Sequence, residues 1–533
     1  MSCDRMRNFT LMQPRQLIKF MFLLAPVAYL FWSHWPVLSG HLLSDSFSHI
    51  YNCYQWSENQ ETLTRLGQLF YQNINETGGA AMYRPLTIAS YCLDYSVWGV
   101  QPATFKTIQL MLHIFSGLMV FYCLSKLCRF YRLEPQFPFW VVVFYWLFPL
   151  TPEVSAWVAT RADSLVQIFM IAGLYFAWRN RLVWASVCLV MALMSKESAV
   201  MMVPMLVSVL WMNQDCSQSI LHRLKLSFKK GVGFIIILVG YFVLRWLIFG
   251  QTTNVYSKSQ PVLERIGENA LNFGDTLYRL MLGPLGQIGL SRLWLGVLLV
   301  MMGYGIYFIF RGKKASLSLF FVFNIVMVLL ALMTQFNNTD ISGGGARVLY
   351  ILVPWVVVLV CVPMVTKTSR TVTGALCLLL GLSVWLHHKV LSQWSTASQV
   401  SARIIQSVPD MAAGIAPQEW SLLLVPEYTG AALVGRNAQG SLVSPPFQKE
   451  SYLSAIVPFI WDDLALWRDR VNSQFVAQLK PDVTQANQHP VFAFCLSKNS
   501  GYIKQRIPPE VFSSSTSWQS YWETQVTRHH CYF

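Results

Sequence analysis

The residues able to do chemistry in this sequence are a few isolated charges set among apolar runs. Asp45 follows the first such run in HLLSDSFSHIYN, and Arg84 sits in MYRPLT before a proline. Glu153, Arg161 and Asp163 gather in TPEVSAWVATRADSL, and Lys196 and Glu197 break two apolar stretches in SKES. Arg245 lies inside YFVLRWLIF, and Arg347 directly precedes LYILVPW. A carboxylate can take the proton of an attacking hydroxyl, and fixed cations can neutralise a phosphate, so this set suits transfer from a lipid-linked phosphate. Each residue also has a plainer reading. Asp45 fits a helix N-cap, Arg161 and Asp163 a helix-end ion pair, Lys196 and Glu197 mutual compensation, and Arg245 and Arg347 snorkelling side chains. Glu153 and Arg161 would share a face two turns apart if their segment is one helix.

The elements that must position these residues are membrane spans. The 533-residue chain is 54% hydrophobic, 14% aromatic and only 12% charged, with a mean hydropathy of +0.41, far from the balance of a soluble globule. Apolar stretches of spanning character fall near 17–36, 107–126, 138–152, 164–178, 182–195, 198–213, 231–249, 293–310, 316–334, 349–366 and 371–387. The expected fold class is therefore an all-α polytopic membrane protein of about 11 transmembrane helices with a small C-terminal extracytoplasmic α/β domain.

The net charge of +15 would point to nucleic acid in a soluble protein, but its distribution follows membrane topology. Arg5, Arg7, Arg15 and Lys19 precede the first span, and basic clusters recur in every second short loop, at Lys126 to Arg132, Arg179 and Arg181, Arg223 to Lys230, Arg311 to Lys314, and Lys367 and Arg370. This puts the N-terminus in the cytoplasm, the C-terminus outside and all of the candidate charges at the outer side. No small-residue cleavage site stands near Ser39-Gly40, so the first span is read as uncleaved.

Two outer regions exceed what a connection needs, residues 37–106 and residues 388–533. In the first, Leu63, Leu66 and Phe70 recur at helical spacing, as in a helix lying at the interface or a solvated loop helix. Glu264, Arg265, Glu268, Asp275 and Arg279 mark a further outer segment at 250–291, and three glycines mark a loop at 335–348. The division into domains is 1–387 for the membrane part and 388–533 for the soluble part, where WSLLLVPEY and VFAFCL read as strands and 451–480 as helical. The eleven cysteines show no metal-ligand spacing, and Cys53 with Cys92 and Cys495 with Cys531 are outer pairs that either form disulfides or remain free.

Several segments in order resemble a known group. YRPLT (Tyr83 to Thr87), DYSVWGVQPATFKTIQLMLH (Asp94 to His113), RADSL (Arg161 to Leu165), SKE (Ser195 to Glu197) and ARVLY (Ala346 to Tyr350) are similar to the motifs of the TMTC-type protein O-mannosyltransferases and their bacterial relatives, within the GT-C membrane glycosyltransferases. The resemblance covers about residues 30–365. It implies a GT-C helical bundle with an outer or lumenal active site and a polyprenyl-phosphate-linked sugar as donor. It implies Asp45 as catalytic base, with Arg84, Arg161, Lys196, Glu197 and Arg347 lining the donor phosphate or bracing the first loop; Asp163 and Arg245 join that outer set by position. The chain departs from the pattern where Asp45 is followed by Ser46 rather than a second acid and where Thr151-Pro152 replaces His-Pro. It also has residues 388–533 in place of tetratricopeptide repeats, which favours a bacterial inner-membrane protein with a periplasmic C-terminus.

The expected activity is inverting transfer of a sugar to an acceptor hydroxyl on a glycan, lipid or protein, with membrane lipids as surroundings and no nucleic-acid partner. No cofactor is implied beyond the lipid-linked donor, and no metal-site residue is assigned, although a divalent metal stays open. A transporter, an inactive scaffold of the same fold, and an O-antigen ligase or polymerase are the alternatives. Early placement of Asp45 and YRPLT argues against the ligase, and the lack of two related halves argues against the transporter.

Overall fold

The computed structural model describes residues 14–73, 82–131, 133–214, 218–250, 273–282, 291–311, 345–365, 370–416, 420–426, 432–435, 438–452, 456–459, 491–497 and 501–506, with a few single or short positions between them. These residues are mostly helical. The apolar runs become α1 (Pro14–Leu38), α5 (Pro102–Tyr131), α6 (Phe137–Trp146), α8 (Arg161–Trp178), α9 (Leu182–Leu193), α10 (Met202–Met212), α11 (Ile220–Phe249), α13 (Ser291–Arg311), α14 (Val353–Cys361) and α15 (Arg370–Ala413). Three of them, α5, α11 and α15, are long and apolar enough to cross a membrane. Asp275 and Arg279 fall on α12 (Phe273–Leu282), whereas the stretch 316–334 lies mostly, and Glu264, Arg265 and Glu268 wholly, outside the described residues.

Local chemistry sets the helix ends. Ser219 caps α11 by accepting the His222 backbone N–H at 3.3 Å, and Gly250 ends it in the left-handed conformation that glycine adopts without penalty. Along α11, Leu224, Phe228, Val232, Ile236, Val239, Val243 and Leu247 form an exposed apolar stripe at helical spacing. On a soluble protein such a stripe would be an unburied core face; here hydrocarbon is its solvent. The opposite face buries Arg223, Ser227, Gly231, Phe234, Tyr241 and Arg245. Close helix approach needs small residues in a membrane, and a Cβ on Gly305 of α13 would run into the backbone carbonyl of Leu359 on α14.

Short helices fill the long connections. Residues 37–106 contain α2 (Ser46–Glu58), α3 (Thr62–Gln68) and α4 (Pro85–Trp98), and a disulfide joins Cys53 of α2 to Cys92 of α4. Leu63 on α3 and Phe70 just beyond it are exposed, while Leu66 is partly covered. The segment after α6 is broken: α7 (Pro152–Ala156) stops at Trp157, whose backbone is extended, and a single 3-10 turn precedes α8. Glu153 and Arg161 therefore do not share one continuous helix. A 3-10 segment over Glu197–Met201 leads into α10, and another over Ala346–Leu352 leads into α14.

Helix α15 is continuous through residue 387, where the membrane part was expected to end, and at 44 residues extends about 66 Å. Beyond it, β1 (Trp420–Leu424), β4 (Ile456–Phe459), β5 (Val491–Ser497) and β6 (Gly501–Arg506) form a sheet of order β4-β1-β5-β6, parallel except for the β5–β6 hairpin. The small β2 (Tyr428–Thr429) and β3 (Ala432–Leu433) hairpin and α16 (Gln439–Leu442) lie between β1 and β4. Of the helix expected over 451–480, Ile456–Phe459 forms strand β4 because this apolar stretch pairs with β1, and residues 460–480 lie outside the described residues. Cys495 is disulfide-bonded, and Cys531 lies outside the described residues.

The Cys53–Cys92 crosslink closes a sequence separation of 39 residues. Replacing both by serine is expected to destabilise the protein by about 2–4 kcal/mol, read as a lower melting temperature in detergent; an unchanged melting temperature would mean that packing alone holds α2 on α4.

Candidate active site

Helix ends bring most of the singled-out charges together as pairs. Arg84 donates to Glu197 through Nε at 3.0 Å and Nη2 at 2.6 Å. Lys196 Nζ donates to Asp163 Oδ1 at 2.6 Å. Arg161 pairs with Asp94 at 2.5 Å, and Arg347 with Glu153 at 2.8 Å. The direct pairs join residues distant in sequence, Arg161 with Asp94 and Lys196 with Asp163, while Lys196 and Glu197 still act on each other electrostatically. Lys196 is in extended conformation where α9 gives way to the 3-10 segment, so adjacent side chains leave the backbone in different directions.

Backbone geometry explains each placement. Pro85 starts α4 and leaves Arg84 at its N-cap position. Thr87 Oγ1 donates to the Ser195 carbonyl at 2.9 Å and the Leu86 N–H to the Met194 carbonyl at 3.1 Å, which docks YRPLT against SKES. Glu153 holds the start of the Ala346–Leu352 segment. Its carboxylate accepts the Gly345 N–H at 3.3 Å and the Arg347 N–H at 3.0 Å as well as the Arg347 guanidinium.

Asp45 occupies the N-cap position of α2, but its carboxylate makes no cap hydrogen bond to that helix. It acts electrostatically on His49, one turn on, and on Arg347, while Arg84 and Arg161 also act on His49. Lys196 in turn senses Asp163, Arg84, Glu197 and Arg347. One electrostatic neighbourhood thus contains Asp45 and all four ion pairs. Arg245 borders it: its side chain is buried on the inner face of α11, with the guanidinium 5.9 Å from the Tyr241 ring, and Tyr241 stands 6.0 Å from Tyr83 beside Arg84. Arg245 points into protein and does not snorkel, and Arg347 is tied to Glu153 while staying partly exposed.

Aromatic groups that the sequence did not single out form the walls. His49 stacks on Tyr91 at 4.9 Å, and the Arg161 guanidinium lies 4.6 Å from the Tyr91 ring. Burial pushes the Tyr91 phenol up, so it stays protonated and donates to the Val158 carbonyl at 2.8 Å. Trp157 stands between Arg347, whose guanidinium is 4.8 Å above its ring, and the Asp45 loop, where its indole N–H donates to the Leu43 carbonyl at 3.1 Å. Burial lowers His49 to about 4 despite the opposing field of Asp45, which keeps the imidazole neutral near pH 7. Burial would raise Glu197, but the Arg84 charge and hydrogen bonds outweigh it and hold the carboxyl at about 2.

Exposure separates the four cations. Arg161 is 1% and Lys196 8% exposed, against 21% for Arg84 and 25% for Arg347. Arg161 and Lys196 are buried inside the cluster, whereas Arg84 and Arg347 are partly exposed. Among the described residues no group of three or more His, Cys, Asp or Glu is gathered as a metal site.

Residues 67–213 match the family described as alpha-(1->6)-mannopyranosyltransferase, N-terminal domain. That segment carries Arg84, Asp94, Glu153, Arg161, Asp163, Lys196 and Glu197. Over 179 residues the chain is 25% identical to protein O-mannosyl-transferase F38B6.6 of Caenorhabditis elegans, covering 32% of this chain and 25% of that protein. The chain thus matches about a quarter of the length of that curated relative. Two structures of ArnT from Cupriavidus metallidurans, one bound to undecaprenyl phosphate and one in the apo state, superpose at TM-scores of 0.47 and 0.43. Each is 13% identical and covers 90% of this chain and 93% of that one, a likeness too loose to assign a fold. The chain resembles the GT-C membrane glycosyltransferases, and the resemblance is to mannosyltransferases among them.

The pairing and the protonation states can each be tested. Lys196→Met strands the buried Asp163 carboxylate and is expected to destabilise the protein by about 3–5 kcal/mol, whereas Lys196→Met combined with Asp163→Leu recovers most of the loss in melting temperature; equal losses would show the pair to be unimportant. For protonation, the unfolded chain protonates His49 near 6.5 but the folded protein only near 4, so stability is full above pH 6.5 and falls as pH drops through that window. Glu197 adds a second loss between 4.5 and about 2. His49→Gln should flatten the dependence of melting temperature on pH between about 6.5 and 4, and an unaltered slope would contradict the neutral, buried state of this imidazole.

Proposed function

We propose that this chain transfers a sugar from a polyprenyl-phosphate-linked donor to an acceptor hydroxyl at the outer face of a membrane. The observation that carries the reading is the gathering of Asp45, Arg84 and Arg347 into one electrostatic neighbourhood held by internal ion pairs. The mannosyltransferase likeness over 67–213 supports sugar transfer as the chemistry, and partly exposed guanidinium groups beside a carboxylate suit a donor whose leaving group is a phosphate. In this reading Asp45 takes the acceptor proton as its oxygen bonds to C1 of the sugar. The bond from C1 to the phosphate oxygen breaks, and polyprenyl phosphate leaves with the electron pair. Attack from the face opposite the leaving group inverts C1. Arg84 and Arg347 meet the growing phosphate charge, and their carboxylate partners fix the guanidinium planes beforehand, so little reorganisation accompanies transfer. Arg161, Asp163, Lys196 and Glu197 brace that arrangement, and Arg245 backs it through Tyr241.

The same reading assigns residues 1–387 to a bundle of about eleven spans with a cytoplasmic N-terminus, and residues 388–533 to the outer side, in a bacterial inner membrane. Glycan, lipid and protein hydroxyls are the acceptor classes. Asp45→Asn keeps the size of the side chain and removes the base. Transfer in membranes supplied with polyprenyl-phosphate sugar is expected to fall by at least about 100-fold, with the melting temperature within a few degrees of the parent; full activity in this variant would remove Asp45 from the chemistry.

A further inference from the structure

We propose that the stretch following β3, which contributes Val434, Phe447 and Gln448, is the brace that sets the orientation of Asp45, and that Ser44 and Phe447 are positioning residues for the transfer; this rests on the reading of Asp45 as the base. The loop from α1 to α2 has its backbone groups taken up one by one. The His41 N–H donates to the Ser398 carbonyl at 2.9 Å, Ser401 Oγ donates to the Leu42 carbonyl at 2.7 Å, and the Trp157 indole to the Leu43 carbonyl at 3.1 Å. The last link before Asp45 is the Ser44 N–H, which donates to the Val434 carbonyl at 2.8 Å.

Ser44 is buried and holds a φ of +47°, the left-handed region that L side chains rarely adopt. That turn fixes the direction in which the chain enters α2 and hence where Asp45 is carried. A strained conformation persists only where its surroundings over-determine it, and the hydrogen bond to the Val434 carbonyl is one of the contacts that hold it here. Side chains seal the same contact. Phe447 packs edge-on against Phe47 at 4.8 Å and against His41 at 6.0 Å, and His41 stacks on Phe47 at 5.5 Å. Gln448 Nε2 ties the stretch to α15 by donating to the Ile405 carbonyl at 2.9 Å and to the Leu442 carbonyl at 3.0 Å. The part of the chain beyond α15 therefore reaches the reaction through the backbone of the residue next to the base.

Three full-length variants and two readouts test this. Ser44→Gly keeps the N–H and accepts a positive φ, so transfer should stay within about threefold of the parent. Ser44→Val opposes the turn, and Phe447→Ala loosens the seal. Each should lower kcat by about 10-fold or more through misplacement of the base while KM for the lipid-linked donor stays unchanged, because Arg84 and Arg347 are untouched. Hydrogen exchange of the peptide covering residues 41–50 should quicken in Phe447→Ala and not in Ser44→Gly, a readout that does not depend on transfer. A parent-like kcat in Ser44→Val and Phe447→Ala, or exchange of 41–50 unchanged in Phe447→Ala, overturns the brace. Activity in Asp45→Asn equal to the parent overturns the function instead, and the exchange measurement then still decides whether the stretch holds the loop.

Discussion

The structure depends above all on the ion pairs that tie the ends of its helices together. An ionised side chain near hydrocarbon is costly unless compensated, and here compensation comes from distant parts of the chain. Arg84 meets Glu197 across 113 residues, Lys196 meets Asp163 across 33, and Arg347 meets Glu153 across 194. Each pair is at once an electrostatic necessity and a tie between elements. Together they bind YRPLT to SKES, α8 to the end of α9, and α7 to the segment that leads into α14. The site is therefore built by the requirement that fixes the fold.

That requirement also grades the cations. Arg161 is almost fully buried between Asp94 and the Tyr91 ring. Arg84 and Arg347 are held by their carboxylates yet remain at the surface of the site. Around them the protein keeps neutral groups neutral: His49 is held unprotonated and Tyr91 protonated. The site so formed carries nearly balanced charge at rest, and in the proposed transfer its guanidinium groups meet the charge that develops on the phosphate.

The helical bundle was legible because hydrocarbon leaves no other way to satisfy a backbone, so apolar runs of sufficient length became helices from α1 to α15. The special residues were legible too, since a charge in so apolar a chain stands out. Their partners were not. Pairing depends on which helix ends meet, and nothing in TPEVSAWVATRADSL shows that the chain breaks at Trp157, sending Glu153 to Arg347 and leaving Arg161 to Asp94. Asp94 lay within a recognised motif, DYSVWGV, without a role, and His49 stood one turn beyond Asp45; helical spacing was the available signal for the latter. Ser44 carried no signal, because its conformation comes from a contact with Val434 that is 390 residues away along the sequence. The 451–480 segment misled for the same reason, since the strand at Ile456–Phe459 is decided by its partner β1.

The central claim is that Arg84 and Arg347 receive the phosphate of a lipid-linked sugar beside Asp45. The most direct measurement is a structure of the full chain in lipid nanodiscs with polyprenyl phosphate bound. The phosphate is expected within hydrogen-bonding distance of the Arg84 or Arg347 guanidinium, with the Asp45 carboxylate across the space where the sugar would sit. A phosphate bound elsewhere, with both arginines engaged only by Glu197 and Glu153, would contradict it.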